Sequence, residues 1–314
     1  MRPDEGAMTA AGEGGVPARE LARLHGYELT PEDARLLRGP APARALAWCE
    51  AVTGGRVAAV RALDGGMSSA VHALDLADGR ALVLRRFVRA DWLAEEPDVP
   101  QREATALELL ADNPLPTPGL VASDPTGAEA GDPAVLMTRL PGAIEWRPAD
   151  VDAFLRGLAA LLPAIDATPP GPGLPEYAPY ALESHTPPAW SPRPEVWERG
   201  FAVFDDPPPS DERRFIHRDF HPGNVLWTGG AVTGVVDWAS TSIGAPSADI
   251  GHCRFNLAGV LGLEAADRFL AHCGRPDYHP YWDIIAALGG FDAETLARRT
   301  PQDEEFLAAA VRRL

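Results

Sequence analysis

Phe215-Ile216-His217-Arg218-Asp219-Phe220-His221-Pro222-Gly223-Asn224-Val225-Leu226-Trp227 is followed at once by Thr228-Gly229-Gly230, and then by Val232-Thr233-Gly234-Val235-Val236-Asp237-Trp238. Val225–Trp227 and Val232–Val236 read as two short strands joined by the glycine turn. Asp219 and Asn224 then share a short loop ahead of the strand pair, and Asp237 closes it. A loop–strand–turn–strand unit of this kind brings an Asp, an Asn and a second Asp to one point. Two hard oxygen ligands suit Mg²⁺, and a further carboxylate can orient a hydroxyl and take its proton. Phosphoryl transfer from a nucleotide requires that set.

Ahead of this unit the chain alternates short apolar runs with turns. Arg56–Leu63, Ala70–Leu76 and Arg80–Val88 are predicted strands, separated by Asp64-Gly65-Gly66 and Ala77-Asp78-Gly79. Ala43–Val52 is a predicted helix. So is Gln101–Ala111, where Ala104, Leu107 and Leu110 share a face. Ala134–Met137 is a further strand, running into the break at Pro141-Gly142. Beyond it Val151, Phe154, Leu155, Leu158, Leu161 and Leu162 recur at helical spacing, predicting an amphipathic helix over Asp150–Leu162. Another helix is expected over Glu195–Phe204. Thr168–Pro194 is crowded with proline yet keeps Tyr177, Tyr180 and Trp190, which predicts an ordered, irregular excursion. The expected fold class is α+β, with two lobes: a small antiparallel-sheet lobe over 43–140 and a larger, mainly helical lobe over 141–314. A flexible arm over 1–42, with one short helix near Glu20–Leu24, is expected to precede them.

His217–Asn224, together with Val236-Asp237-Trp238 and Gly244-Ala245-Pro246-Ser247-Ala248-Asp249, resembles the signature of the aminoglycoside phosphotransferase family. H-R-D-x-x-x-x-N with an Asp after the next strand is the kinase catalytic-loop arrangement. The resemblance covers about residues 55–260 and implies a bilobal, protein-kinase-like fold. It implies Asp219 as catalytic base, Asn224 and Asp237 as Mg²⁺ ligands, and Asp249 as a brace for the catalytic loop, with His217 structural. It also implies ATP or GTP as phosphoryl donor. The acceptor would be a small-molecule hydroxyl, on an antibiotic such as an aminoglycoside or macrolide, or on a metabolite. Gly65, Gly66, Ser68 and Ser69 resemble the family's phosphate-covering loop, where glycine lets backbone amides approach and serine adds donors. Leu82-Val83-Leu84-Arg85 stands where kinases carry V-A-I-K, so Arg85 replaces lysine; Glu103 is its expected partner, and the guanidinium can grip two phosphate oxygens. Leu136–Gly142 resembles the hinge that meets the purine edge.

Composition narrows the classes. All 28 basic residues are arginine, and the net charge of −17 excludes a surface built for nucleic acid. Cys49, Cys253 and Cys273 are too sparse for a disulfide scaffold, which points to a reducing compartment. Met1–Glu20 lacks the apolar core of a signal peptide, and no run approaches the ~20 apolar residues of a membrane span. The expectation is a cytoplasmic monomer or homodimer.

The same sequence offers three competing readings. His217, Asp219 and His221 form H-x-D-x-H, which at period two would make a hydrolase metal cluster, but Pro222-Gly223 ends any such strand. His252-Cys253 and His272-Cys273 suggest zinc, but neighbours on a helix point apart, so buried thiols and helix-surface histidines are expected. A non-catalytic, kinase-like binding protein stands against an intact set of Asp219, Asn224 and Asp237.

Overall fold

The computed structural model describes residues 30–63, 68–289 and 299–314. The expected helix at Glu20–Leu24 and the Asp64-Gly65-Gly66 turn lie outside them.

Strands β1 (Val57–Ala62), β2 (Ala70–Leu76), β3 (Ala81–Arg86), β4 (Leu120–Asp124) and β5 (Ala134–Thr138) form an antiparallel sheet in the order β1-β2-β3-β5-β4. Gly79, at φ 91°, turns the β2–β3 hairpin in a region that a side chain would strain. Successive residues of a strand face opposite sides. Leu82, Leu84 and Leu136 therefore pack with Trp48 of the Ala43–Thr53 helix, while Val135 and Met137 join Leu107 of the Val99–Leu109 helix. Val83 packs with that second group. Arg85, two positions on, is thereby turned toward the Val99–Leu109 helix, from which Glu103 projects.

The second lobe is mainly helical. Its small strands are β6 (Ala143–Ile144), β7 (Arg214–Ile216), β8 (Val225–Thr228), β9 (Ala231–Val235) and β10 (Ser242–Gly244), paired as β6-β8-β9 and β7-β10. The Pro246–Leu261 helix runs through the middle of the lobe and is buried over most of its length. Gly251 permits this depth, because a Cβ there would lie 2.4 Å from the Trp282 carbonyl oxygen. Phe154, Trp197, Phe201, Phe255, Phe269, Ile284 and Leu307 fill the core around it.

The α+β, protein-kinase-like arrangement matches the expectation, with several local corrections. Within the expected arm, Pro31–Arg38 is a helix whose Leu37 is buried, and His72 of β2 bonds the Gly39 carbonyl at 2.9 Å. One buried leucine in a short, charged stretch is too little pattern to read. The predicted Asp150–Leu162 helix ends at Ala159 and restarts as Leu162–Asp166. Pro163 has no N–H to give the Ala159 carbonyl. Strands β4, β7 and β10 and the Ala90–Glu95 helix escaped the sequence reading, each being short and without a repeat long enough to show. The Thr168–Pro194 excursion is irregular until a helix begins at Pro194 (Pro194–Asp205), but Tyr177 N–H donates to the Ile243 carbonyl at 2.8 Å and Ile243 N–H to the Pro175 carbonyl at 2.9 Å, pinning it to β10. No helix among the described residues is long and apolar enough to cross a membrane.

Candidate active site

The catalytic-loop sequence lies between β7 and β8, and three elements hold it. From the Pro246–Leu261 helix, Asp249 takes the backbone N–H of His217 at 2.8 Å and of Arg218 at 2.7 Å. From the end of β9, the Val236 carbonyl takes the Nε2–H of His217 at 3.0 Å. Burial lowers the His217 pKa, so the ring is a neutral donor, and it packs against Trp238 with 4.4 Å between ring centroids. Across the loop, Val236 N–H donates to the Asn224 carbonyl at 2.9 Å. His217 and Asp249 are thus structural ties, and they set Asp219, Asn224 and Asp237 beside one another.

Asn224 donates its amide to the Asp219 carbonyl at 2.9 Å and to Asp219 Oδ2 at 3.1 Å. That orientation leaves Asn224 Oδ1 as the outward oxygen. Asp237 Oδ1 accepts from Arg85 Nη1 at 2.6 Å. Neither Asn224 Oδ1 nor Asp237 Oδ2 receives a hydrogen bond from a described residue, and a hard-oxygen pair of this sort fits Mg²⁺. Arg218 and Asp237 are the non-glycine residues with positive φ among those described, at 68° and 65°. Left-handed backbone at such residues costs ~1 kcal/mol or more and concentrates at functional sites. Arg218 is held by Glu96 at 3.2 Å, by the Ala178 carbonyl at 3.1 Å, and by the Tyr180 ring at 4.3 Å.

From the sheet lobe, Arg85 Nη1 reaches Glu103 Oε1 at 2.8 Å, the partner expected, while its Nε donates to Ser69 Oγ at 2.9 Å. The additional contact with Asp237 joins the two lobes through one guanidinium. Burial works against the Arg85 cation, but Asp237 and Glu103 outweigh it and hold its pKa above the usual arginine value. Ser68 and Ser69 lead into β2, whereas Gly65 and Gly66 lie outside the described residues.

The H-x-D-x-H cluster does not form as period two would place it. His217 faces Val236, and the metal-capable group that does gather is Asp219, His221 and His252. In that group His221 Nδ1 accepts the Gly223 N–H at 3.0 Å, so the Nε2 it turns to Asp219 carries the ring proton and is no metal ligand. His221 is also stacked on the buried Trp146, with centroids 5.6 Å apart. The two His-Cys pairs point apart: Cys253 is buried, its thiol pushed up by burial, and His272 meets Asp152 at 3.1 Å.

His252, expected on a helix surface, instead places Nε2 3.0 Å from Asp219 Oδ1. Its signal was its spacing: it lies one turn after Asp249, on the face that meets the loop. Burial alone would raise the Asp219 carboxyl, but His221 and His252 outweigh it and hold it well below the usual carboxylate range.

Asp249→Asn tests the brace. An amide offers one oxygen to two backbone donors, so the variant is expected to lose about 1–3 kcal/mol of stability and several degrees of Tm in a thermal melt. Burial pushes the Asp249 carboxyl up to about 7, against the pull of its donors. A raised carboxyl binds its proton more tightly folded than unfolded. Its contribution is therefore complete below pH ~4 and is lost as the pH rises through about 7. Wild-type Tm should fall relative to the variant across that interval; a constant gap refutes the assignment.

Comparison with known proteins identifies the family and the fold. The model of the phosphotransferase enzyme family matches residues 59–288. Among solved structures, a thermostable mutant of aminoglycoside phosphotransferase APH(4)-Ia, in ternary complex with ADP and hygromycin B, is 18% identical with TM-score 0.60. The match covers 85% of this chain and 97% of that one. Macrolide 2'-phosphotransferase MphH from Brachybacterium faecium is 19% identical with TM-score 0.54, over 85% and 97% of the two chains. The GDP complex of aminoglycoside 2'-phosphotransferase-IIIa is 16% identical with TM-score 0.53, over 86% and 99%. At these identities the likeness establishes the fold. No curated protein matches the chain.

Proposed function

We propose, because the chain belongs to the phosphotransferase enzyme family, that it moves the γ-phosphoryl group of ATP or GTP to a hydroxyl of a small molecule. The observation that carries this reading is the gathering of Asp219, Asn224 and Asp237 on one loop and strand end, tied by Arg85 to Glu103 of the other lobe. Asp219 orients the acceptor hydroxyl and receives its proton as the oxygen–phosphorus bond forms and the bond to the β-phosphate breaks. Asn224 Oδ1 and Asp237 Oδ2 would hold Mg²⁺, which when bound neutralises charge on the phosphate oxygens. Arg85, kept extended by Glu103 and Ser69, presents a fixed cation to the α- and β-phosphates. Gly65, Gly66 and Ser68 would cover the phosphates with backbone and hydroxyl donors. Most of the rate then comes from positioning and fixed charge.

The acceptor belongs to the broad class of hydroxylated small molecules that includes aminoglycosides, macrolides and metabolites, and phosphorylating an antibiotic would confer resistance. Buried, reduced thiols at Cys49 and Cys253 suit a cytoplasmic setting, where the nucleotide is plentiful. The test is consumption of Mg·ATP and Mg·GTP across panels of antibiotics and hydroxylated metabolites, with product mass read for one added phosphoryl group. Acceptor-dependent turnover that vanishes on removal of Mg²⁺ is expected. Tight Mg·nucleotide binding with no turnover on any acceptor favours the non-catalytic reading, and no nucleotide binding at all overturns both.

A further inference from the structure

We propose that His252 is a positioning residue for Asp219, holding the catalytic carboxylate through a hydrogen bond from Nε2–H to Oδ1. The proposal rests on the phosphotransfer reading for the importance of Asp219, but the contact stands apart from it. A carboxylate partner at 3.0 Å requires the proton on Nε2, so His252 donates there and Asp219 accepts.

Both oxygens of Asp219 are then fixed from different sides. Asn224 holds Oδ2 from within the loop, and His252 holds Oδ1 from the Pro246–Leu261 helix. Two bonds to two oxygens fix rotation about Cβ–Cγ, which one bond cannot do. Each oxygen keeps a lone pair for the acceptor hydroxyl, so neither bond blocks the reaction. His252 keeps its own proton throughout, and no proton passes through it.

The helix carrying His252 also carries Asp249. One turn apart, the two residues grip the loop at separate points, Asp249 by the backbone of His217 and Arg218 and His252 by the reacting side chain. Asn256, one turn further, donates its amide to the His252 carbonyl at 3.0 Å. Asn224 is buried on the β8–β9 side, whereas the His252 side chain is 32% exposed.

The test compares His252→Ala, His252→Gln and His252→Asn. Glutamine places an N–H near the reach of Nε2, and asparagine falls short of it. With Mg·ATP as donor and water or the best acceptor from the panel, His252→Ala should lower kcat by ~10–100-fold. The Kd for Mg·ATP should change by less than ~twofold, and His252→Gln should recover most of the loss while His252→Asn does not. Equal kcat in wild type and His252→Ala, or equal loss in the Ala and Gln variants, overturns the proposal.

A second measurement needs no activity. Long-range ¹H–¹⁵N spectra should show His252 as the Nε2–H tautomer in the wild type, and Asp219→Ala should release it to a mixture. A His252 ring carrying its proton on Nδ1 alone in the wild type, or a spectrum indifferent to Asp219→Ala, sinks the contact even if the protein binds Mg·ATP. Failure to bind Mg·ATP with the tautomer shift intact would instead refute the phosphotransfer reading alone.

Discussion

Asp219→Asn is expected to lower kcat by about three orders of magnitude while leaving the Kd for Mg·ATP within about twofold. The substitution keeps the shape of the side chain and its place on the loop, so the His217, Arg218 and Asp249 ties are untouched. On the proposed reading it removes the negative charge that would face the acceptor and the carboxylate that would take the hydroxyl proton. The new amide also turns an N–H toward one of two donors, Asn224 Nδ2 or His252 Nε2, and loosens the side chain it replaces. Because the two imidazoles outweigh burial and keep Asp219 ionised far below neutrality, the wild-type rate should show no acid limb from this group above pH ~5. A base held that low is a poor proton sink in the ground state. It suits a loose transition state in which the hydroxyl is aimed early and gives up its proton late. Steady-state kinetics decide the matter, and unchanged turnover in Asp219→Asn removes the role.

The parts of this site that were legible in sequence are those made by neighbours in the chain. Asp219 and Asn224 sit on one loop, and the apolar runs after it pair around Gly229-Gly230, so Asp237 has one place to end. Arg85 and Glu103 were legible as a pair through the resemblance and their order along the chain, and the structure sets both toward the same space. The Arg85–Asp237 contact was not, since it depends on how two lobes meet, and no local pattern encodes that. His252 escaped for a related reason. Its spacing from Asp249 puts it on the loop-facing side of the helix, but which atom it meets there depends on how the loop packs against a helix buried over most of its length. Tyr180 lies in the irregular excursion, where no repeat says which residue it meets. Its seat against Arg218 follows from the Thr168–Pro194 excursion crossing to β10, a path built from single backbone bonds.

Asp237→Ala is expected to abolish the Mg²⁺-dependent part of nucleotide binding, a loss of ~100-fold or more in affinity, or roughly 3 kcal/mol. The argument begins with charge. Arg85 and Glu103 are buried and Asp237 stands partly exposed beside them, one cation facing two carboxylates, so the site has negative charge to spare for a divalent cation. Without Asp237, Arg85 and Glu103 are left as a neutral pair, and Asn224 Oδ1 is a lone neutral ligand. Asp237→Asn is the cleaner variant, because asparagine tolerates the left-handed backbone at this position and alanine adds ~1 kcal/mol of strain. Calorimetry with ATP alone and with Mg·ATP separates the effects. Wild type should bind Mg·ATP far more tightly than ATP, Asp219→Asn should keep that difference, and both Asp237 variants should lose it. A preserved difference in Asp237→Asn would move the metal away from this residue, and with it the reason for Arg85 to bridge the lobes here.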